Sequence, residues 1–162
     1  MYKKDLFLCA KWRYNKRQLA CVSKSLFNWG VFMTKTKQYT PVNCRMMAFN
    51  GVPKNEYNSF IHIIFKYTDK DFAGIAGTSA RTLSRLKPDQ NIPHQAAEVT
   101  ISLMRAYEKA KEIFGSQENA VKWLKSPNNV LGGITPVEAM SSRFGAEEVM
   151  DILGRIEYGV YS

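Results

Sequence analysis

Apolar residues recur at helical spacing along most of the chain beyond residue 50. Over residues 54–66, Tyr57, Phe60, Ile61, Ile64 and Phe65 fall at intervals of three, one, three and one, which predicts an amphipathic helix with one buried face. Over residues 93–114, Ala96, Val99, Leu103, Tyr107, Ala110 and Phe114 recur at three and four, which predicts the longest helix of the protein. Pro93 suits its first turn, where a missing N–H is harmless, and Gly115 suits its end. Residues 117–125 turn Ala120, Val121 and Leu124 to one side behind a capping Ser116. Residues 146–158 align Val149, Ile152, Leu153 and Ile156, and Gly159 closes that helix. No alternating strand pattern runs beyond a few positions, and there is no internal repeat. The pattern predicts an all-α protein, two small bundles joined by the long helix.

Between the first two helices lies a different signal. Thr68 suits an N-cap, with Asp69 and Asp71 in the first turn matching the helix dipole. Gly77 can end that helix, Ser79 can cap a second over residues 80–86, and Pro88 prevents it from running much further. The spacing Ala73-x-x-x-Gly77 lets one helix approach the next. Two short helices joined through a glycine turn form the helix-turn-helix pattern. Arg81, Thr82, Ser84 and Arg85 crowd onto the second helix, which in such motifs enters the DNA major groove. Arginine reads guanine in a bidentate manner, and Ser and Thr reach phosphate or base. The plainer alternative is a capped surface helix with solvated arginines.

The stretch "LKSPNNVLGGITPVEAM", residues 124–140, is more heavily specified than most loops. Gly132 and Gly133 permit positive φ, Pro127 and Pro136 stiffen the chain, and Thr135 to Glu138 spells a capping box with proline at the first helical position. It reads either as a tight structural turn or as a rigid knob for a partner, preorganised so that little entropy is lost on binding. Trp123 and Leu124 immediately precede it, as core residues or as interface anchors. The tail poses the same choice. Beyond Gly159, Val160, Tyr161 and Ser162 run extended, flanked by Arg155 and Tyr158, as a frayed end or as a reaching segment.

Composition narrows the classes. With 162 residues and 45% hydrophobic content, the chain can bury a core in one ordinary domain or two small ones. No run approaches eighteen apolar residues and the N-terminal apolar run is too short for a secretory signal, so a cytoplasmic protein without a membrane role is expected. Cys9, Cys21 and Cys44 have no metal-ligand spacing, and His62 and His94 stand alone in sequence as surface or partly buried side chains. No paired acids sit beside a histidine, and there is no phosphate loop or nucleophile motif; Glu147 and Glu148 read as a charged first helical turn. No enzyme, metal or cofactor is expected. The net charge of +9 is uneven: residues 1–55 carry +10 and residues 56–162 carry −1. The basic segment is either an arm that attracts nucleic-acid phosphate or an extension upstream of a start at Met33, disordered or partly non-native.

"AGIAGTSARTLSRLK" resembles the helix-turn-helix of Xre-type regulators. A longer match follows: the helix ending "EIFG", then "AVKWLKSPNNVLGGITPVEAM", then "GAEEVMDILGRIEYGVYS" resemble the toxin-binding domain of the Xre/MbcA/ParS antitoxins. "NGVP" at residue 50 resembles the family's lead-in to its first helices. The likeness covers residues 50–162. It implies an Xre-like helix-turn-helix bundle at 50–100, a small helical C-terminal toxin-binding domain at 101–162, and a basic extension at 1–49. It further implies an antitoxin of a bacterial type II toxin–antitoxin module. Such an antitoxin forms a homodimer within a hetero-oligomer, restrains its toxin through the C-terminal domain and binds its own promoter DNA. The usual toxin is a RES-domain protein that degrades NAD.

Carried over to this chain, the DNA-contact set is Ser79, Arg81, Thr82, Ser84 and Arg85. The toxin-contact set is Trp123, Leu124, Pro127, Asn128, Leu131, Gly132, Gly133, Arg155, Tyr158, Val160, Tyr161 and Ser162. One departure bears on DNA: family members often carry two adjacent arginines after Thr-Leu-Ser, whereas here Arg85 is followed by Leu86 and soon by Pro88. The alternative functions are a stand-alone helix-turn-helix transcriptional regulator with a C-terminal dimerisation or docking bundle, and an interaction module without a DNA role.

Overall fold

A 21-residue helix with apolar residues along its length is stable in water only if neighbours cover it. That helix is α5, His94–Phe114, and the fold is arranged around it. The computed structural model describes residues 39–160. Before α5 come α1 (Pro41–Asn50), α2 (Lys54–Tyr57) running into a π-helical turn (Asn58–Ile64), α3 (Asp69–Ile75) and α4 (Ala80–Arg85). After it come α6 (Gln117–Lys125), a 3₁₀ turn (Asn129–Leu131), α7 (Pro136–Ala139) and α8 (Arg143–Glu157). Among the described residues there is no strand beyond a single antiparallel bridge, Pro53 to Asn91. No helix among them is long and apolar enough to cross a membrane. Helix α5 begins at His94, with Pro93 as its N-cap rather than its first residue, and ends at a left-handed Gly115.

The helix expected over residues 54–66 exists but changes its winding. In an α-helix, residues five apart lie about 140° apart around the axis. Phe60 and Phe65 would then point in different directions. The chain winds as a π turn instead, with the Phe65 N–H donating to the Phe60 carbonyl at 3.2 Å. Both rings are now fully buried, with centroids 5.1 Å apart. Phe60 also meets Tyr39 edge-on at 4.8 Å and Tyr107 of α5 at 5.6 Å. The turn closes with Lys66 in a left-handed conformation, φ 55°, and the Tyr67 N–H donates back to the Ile61 carbonyl at 3.0 Å.

Helix α1 lies in the segment assigned above to an N-terminal extension, where no element was expected. Its sequence lacks an amphipathic pattern, and tertiary contacts hold it. Cys44 and Tyr39 are buried in the core, and the Tyr39 N–H donates to the Glu108 carboxylate of α5 at 3.1 Å. Burial, with nearby Tyr107 and Glu108, pushes the Tyr39 hydroxyl up to about 12. The expectations for Met33, Cys9, Cys21 and the rest of the basic segment before residue 39 lie outside the described residues. The division at residue 100 falls inside α5. One continuous core runs from Tyr39 to Leu153, so the two expected bundles share their interior.

Residues 50–53, "NGVP", are tied to the loop before α5. The Ile92 N–H donates to the Val52 carbonyl at 2.9 Å, and the Lys54 N–H to the Gln90 carbonyl at 2.8 Å. Gly51 has φ +85°, and a Cβ there would lie 2.4 Å from the Asn91 side chain, which itself donates to the Asn50 carbonyl.

A polar knot joins α2 to α3. Lys54 Nζ reaches both Asp69 carboxylate oxygens at 2.9 and 3.1 Å, while the Tyr57 hydroxyl and His62 Nε2 each meet Oδ1 at 3.0 Å. Burial opposes the charge on Asp69, but hydrogen bonds from Lys54, Tyr57 and His62 outweigh it and hold the carboxyl below its ordinary range. Lys54 is only 4% exposed, so removing its partner strands a cation. Asp69→Asn is expected to destabilise by about 3 kcal/mol, the low end for a buried pair because Asp69 keeps some solvent contact. A group with a depressed folded-state value contributes stability above its unfolded value and loses it as the pH falls through the folded value. Urea unfolding as a function of pH therefore checks this: the wild-type advantage over the variant should be full above pH 4 and shrink in more acidic solution.

Candidate functional site

The α3–α4 pair forms two short helices around a tight turn. Thr68 and Asp71 make a reciprocal capping box at the start of α3, and the Thr78 N–H returns to the Ala73 carbonyl at 3.0 Å. Gly77 has φ +62° and faces the Gln95 side chain of α5, 2.7 Å from where a Cβ would stand. Its smallness thus serves the approach to α5. Leu83, fully buried, fixes α4 to the core.

Ser79, Arg81, Thr82, Ser84 and Arg85 are all exposed on α4. Arg81 and Arg85, four apart, share one side of the helix. The Ser84 hydroxyl turns back to the Arg81 carbonyl at 3.2 Å. Ser79 occupies the N-cap position with extended backbone, but its side chain makes no capping bond, contrary to expectation. The helix ends at Arg85, one residue sooner than expected, and Leu86 is already extended ahead of Pro88.

The loop after α6 is built from both ends. Helix α6 is capped by the Ser116 hydroxyl and seats Ala120 and Leu124 fully in the core. Leu124 therefore supports the loop from beneath and presents no surface. Trp123 is half-buried against Phe114, with ring centroids 5.7 Å apart. Lys125 Nζ donates to the Phe65 carbonyl at 3.1 Å and lies 4.3 Å from the centre of the Tyr67 ring. It thereby meets the carbonyl end of the π turn, where a cation is favoured.

Asn128 is the knot of the loop. Its Oδ1 accepts from the Val130 N–H at 2.9 Å, its carbonyl accepts from the Gly133 N–H at 2.9 Å, and its own N–H donates to the Ile134 carbonyl at 3.0 Å. Gly132 and Gly133 are left-handed, at φ +72° and +87°, with open space where a Cβ would be. Thr135 and Glu138 complete the expected capping box, and the bonds from Thr135 hold the Glu138 carboxyl below its usual range. Pro136 and Val137 are buried, so α7 clamps the far end of the loop.

Pro127, Gly132 and Gly133 are exposed, while Asn128 and Leu131 are half-buried. Two side chains missed by the sequence reading project most: Val130 is 65% and Ile134 46% exposed. Their signal was an apolar residue on either side of the glycine pair. The tail is held elsewhere. Helix α8 starts at Arg143, three residues earlier than expected, capped by the Ser142 hydroxyl. Gly145 lies so close to α7 that a Cβ would meet the Ala139 carbonyl oxygen at 2.0 Å. Near the other end of α8, Glu157 pairs with Lys109 of α5. Arg155, Tyr158 and Val160 are exposed beyond this tie. Tyr161 and Ser162 lie outside the described residues. The loop hangs on α6 and α7, the tail on α8 and α5, so the expected contact set has two separate supports.

Gly133→Ala is expected to lower stability by about 1–2 kcal/mol through left-handed strain alone, since nothing crowds its Cβ. Asn128→Ala should cost about 1 kcal/mol through removal of the cap. Thermal unfolding reads both, and hydrogen exchange should quicken at Val130 before it quickens in α6.

Comparison with known proteins bears on the same segment. Residues 109–159 match the antitoxin Xre/MbcA/ParS C-terminal toxin-binding domain. A protein named antitoxin Xre from Yersinia enterocolitica is 28% identical over 104 residues, covering 63% of this chain and 70% of that one. Another of the same name, from Photorhabdus laumondii, is 31% identical over 94 residues, covering 57% of this chain and 64% of its own length, so the match spans just under two thirds of that relative. The matched domain contains the capped loop and α8, and the tail as far as Gly159.

Proposed function

We propose that this Xre/MbcA/ParS-type antitoxin neutralises a cognate RES-type, NAD-degrading toxin by direct binding, acting in the cytoplasm as a homodimer within a larger complex. The observation that carries the reading is the loop at residues 128–134. Hydrogen bonds pin it at both ends, yet it leaves Val130 and Ile134 in solvent, inside the segment that matches a toxin-binding domain. Apolar side chains exposed on a rigid loop lose little entropy when a partner covers them. The tail from Arg155 to Ser162 adds a second contact, with Tyr161 and Ser162 reaching toward the toxin's active site. The protein's part is that of a binding partner and regulator, with no chemistry of its own.

The same reading includes autorepression of the operon through α3–α4. Its support is the joint exposure of Arg81, Thr82, Ser84 and Arg85 on a helix that the core holds through Leu83. That exposure also favours the second reading, a stand-alone regulator with a docking bundle. The two part company over the toxin: a stand-alone regulator binds its promoter and protects against nothing.

Co-expression with the RES-type protein of the same operon tests neutralisation. The wild type should preserve growth and cellular NAD. Deleting residues 160–162, or Val130→Glu on the exposed loop, should weaken protection without altering the helical circular-dichroism signal. Full protection by both variants would overturn the assignment. Promoter binding is checked by titration at several salt concentrations. Arg81→Ala with Arg85→Ala should weaken binding and flatten the salt dependence by about 0.9 for each phosphate no longer neutralised; an unchanged slope would remove α4 from the DNA interface.

A further inference from the structure

We propose that the end of the π turn and the end of α6 form one cationic shelf, which docks an acidic patch on the protein partner that covers Val130 and Ile134. The inference rests on the toxin-binding reading above and adds the chemistry of the toxin's matching face. Lys125, the last residue of α6, donates to the Phe65 carbonyl at 3.1 Å, so Lys66 follows directly from that contact. Lys70 stands beside Asp71 on α3. Bonds from Thr68 are the main cause that holds the Asp71 carboxyl low, and Lys70 and Lys125 both add to it. Lys122 precedes Lys125 by one turn of α6. All four lysines are exposed, and among the described residues none of them forms an ion pair.

The acids at this place are already engaged. The Asp71 carboxylate accepts from the Thr68 N–H at 3.1 Å and from its hydroxyl at 2.7 Å. The Glu138 carboxylate accepts from the Thr135 N–H at 2.9 Å and from its hydroxyl at 2.7 Å. Lys66, Lys70, Lys122 and Lys125 still outnumber Asp71, Glu118 and Glu138. That is a local positive excess in a segment, residues 56–162, whose net charge is −1.

Lys66 carries a second signal. Among the described residues it is the one non-glycine residue at positive φ, 55°. Lysine is rarely found there, and glycine would fill the position without strain. Backbone strain kept at an exposed residue points to a use for its side chain.

The position of the shelf favours the partner of the loop over DNA. The α3–α4 turn packs at Gly77 against Gln95, near the start of α5. Phe65 packs against Tyr107, with ring centroids 6.0 Å apart. By the rise of an α-helix those two α5 residues are separated by about 18 Å. Both ends of the loop, by contrast, meet the shelf. Lys125 leads into the near end. At the far end Glu138 lies close enough to Tyr67 that its charge, after burial, helps to push the Tyr67 hydroxyl up from its ordinary value. Charges that flank an apolar contact speed encounter and reject partners of the wrong sign.

Association of the full-length protein with the RES-type protein of the same operon, measured at low and high ionic strength beside promoter binding, tests the assignment. Wild-type association should slow as salt rises. Lys66→Gly combined with Lys70→Gln and Lys122→Gln should slow it at least about tenfold at low salt, the low end of electrostatic steering, and flatten its salt dependence. Lys66→Gly alone should also slow association while the thermal midpoint stays level or rises, because strain is relieved as the charge is lost. A wild type that captures the toxin no faster than these variants overturns the shelf and leaves neutralisation standing. A wild type that captures no toxin overturns both. Loss confined to promoter binding would assign the lysines to DNA and also overturn the proposal.

Discussion

Phe60 and Phe65 must both reach the interior, and much of the molecule follows from how they do so. Burying two phenylalanine rings contributes roughly 1.5–3 kcal/mol each, and their edge-on neighbours add about 0.5–1.5 kcal/mol per pair. The poorer hydrogen-bond geometry of a π turn is a smaller effect, so burial decides the winding. Once wound in this way, the segment ends with the Phe65 carbonyl facing Lys125 and with Tyr67 under the same ammonium group. The next residue, Thr68, caps α3. The first helix of the α3–α4 pair and the last residue of α6 before the loop therefore meet at one point. The two candidate surfaces belong to one core, although the chain separates them by the length of α5.

The elements easiest to read from sequence were those whose cause is local. Thr68, Ser116 and Thr135 cap helices because a hydroxyl three residues before an amide closes the bond wherever the rest of the chain goes. Gly115 and Gly159 take positive φ for a similarly local reason. The period of α5 was legible because one face of it is buried along the whole length. What could not be read depended on distant partners. Helix α1 carries no amphipathic stripe, and its place is fixed by Tyr39 and Cys44 packing against residues more than fifty positions away. The π turn required knowing that Phe65 would be buried beside Tyr107. His62 looked solitary because its partner, Asp69, belongs to the next helix, beyond the break at Lys66.

The candidate site divides along the same line. Glycines and the capping box announced the loop, since left-handed backbone and capping are properties of a few adjacent residues. The helical period turned Leu124 inward with Ala120 and Val121, yet its place beside the loop also put it, with Trp123, in the expected contact set. The depth of α6 against α5 sends Leu124 inside and leaves Trp123 at the edge. Val130 and Ile134 were overlooked for the opposite reason. An apolar side chain in a loop is usually buried beneath it, but here the four bonds of Asn128 hold the loop closed without help from its apolar side chains. Those side chains are left free to project, which is the condition for using them in a contact.

The DNA contact proposed for α3–α4 is constrained by charge. Residues 56–162 are nearly neutral, at −1, so α3–α4 draws no positive excess from its own segment, and the basic excess lies in residues 1–55. Its short helix α4 offers Arg81 and Arg85, with Lys87 just beyond. Each phosphate neutralised contributes about 0.9 to the salt dependence, so these three cations alone would hold a duplex weakly at ordinary salt. In the proposed homodimer two such helices would meet one duplex, and the second engagement would be intramolecular. Affinity for a promoter would then depend on the dimer more than on any one arginine.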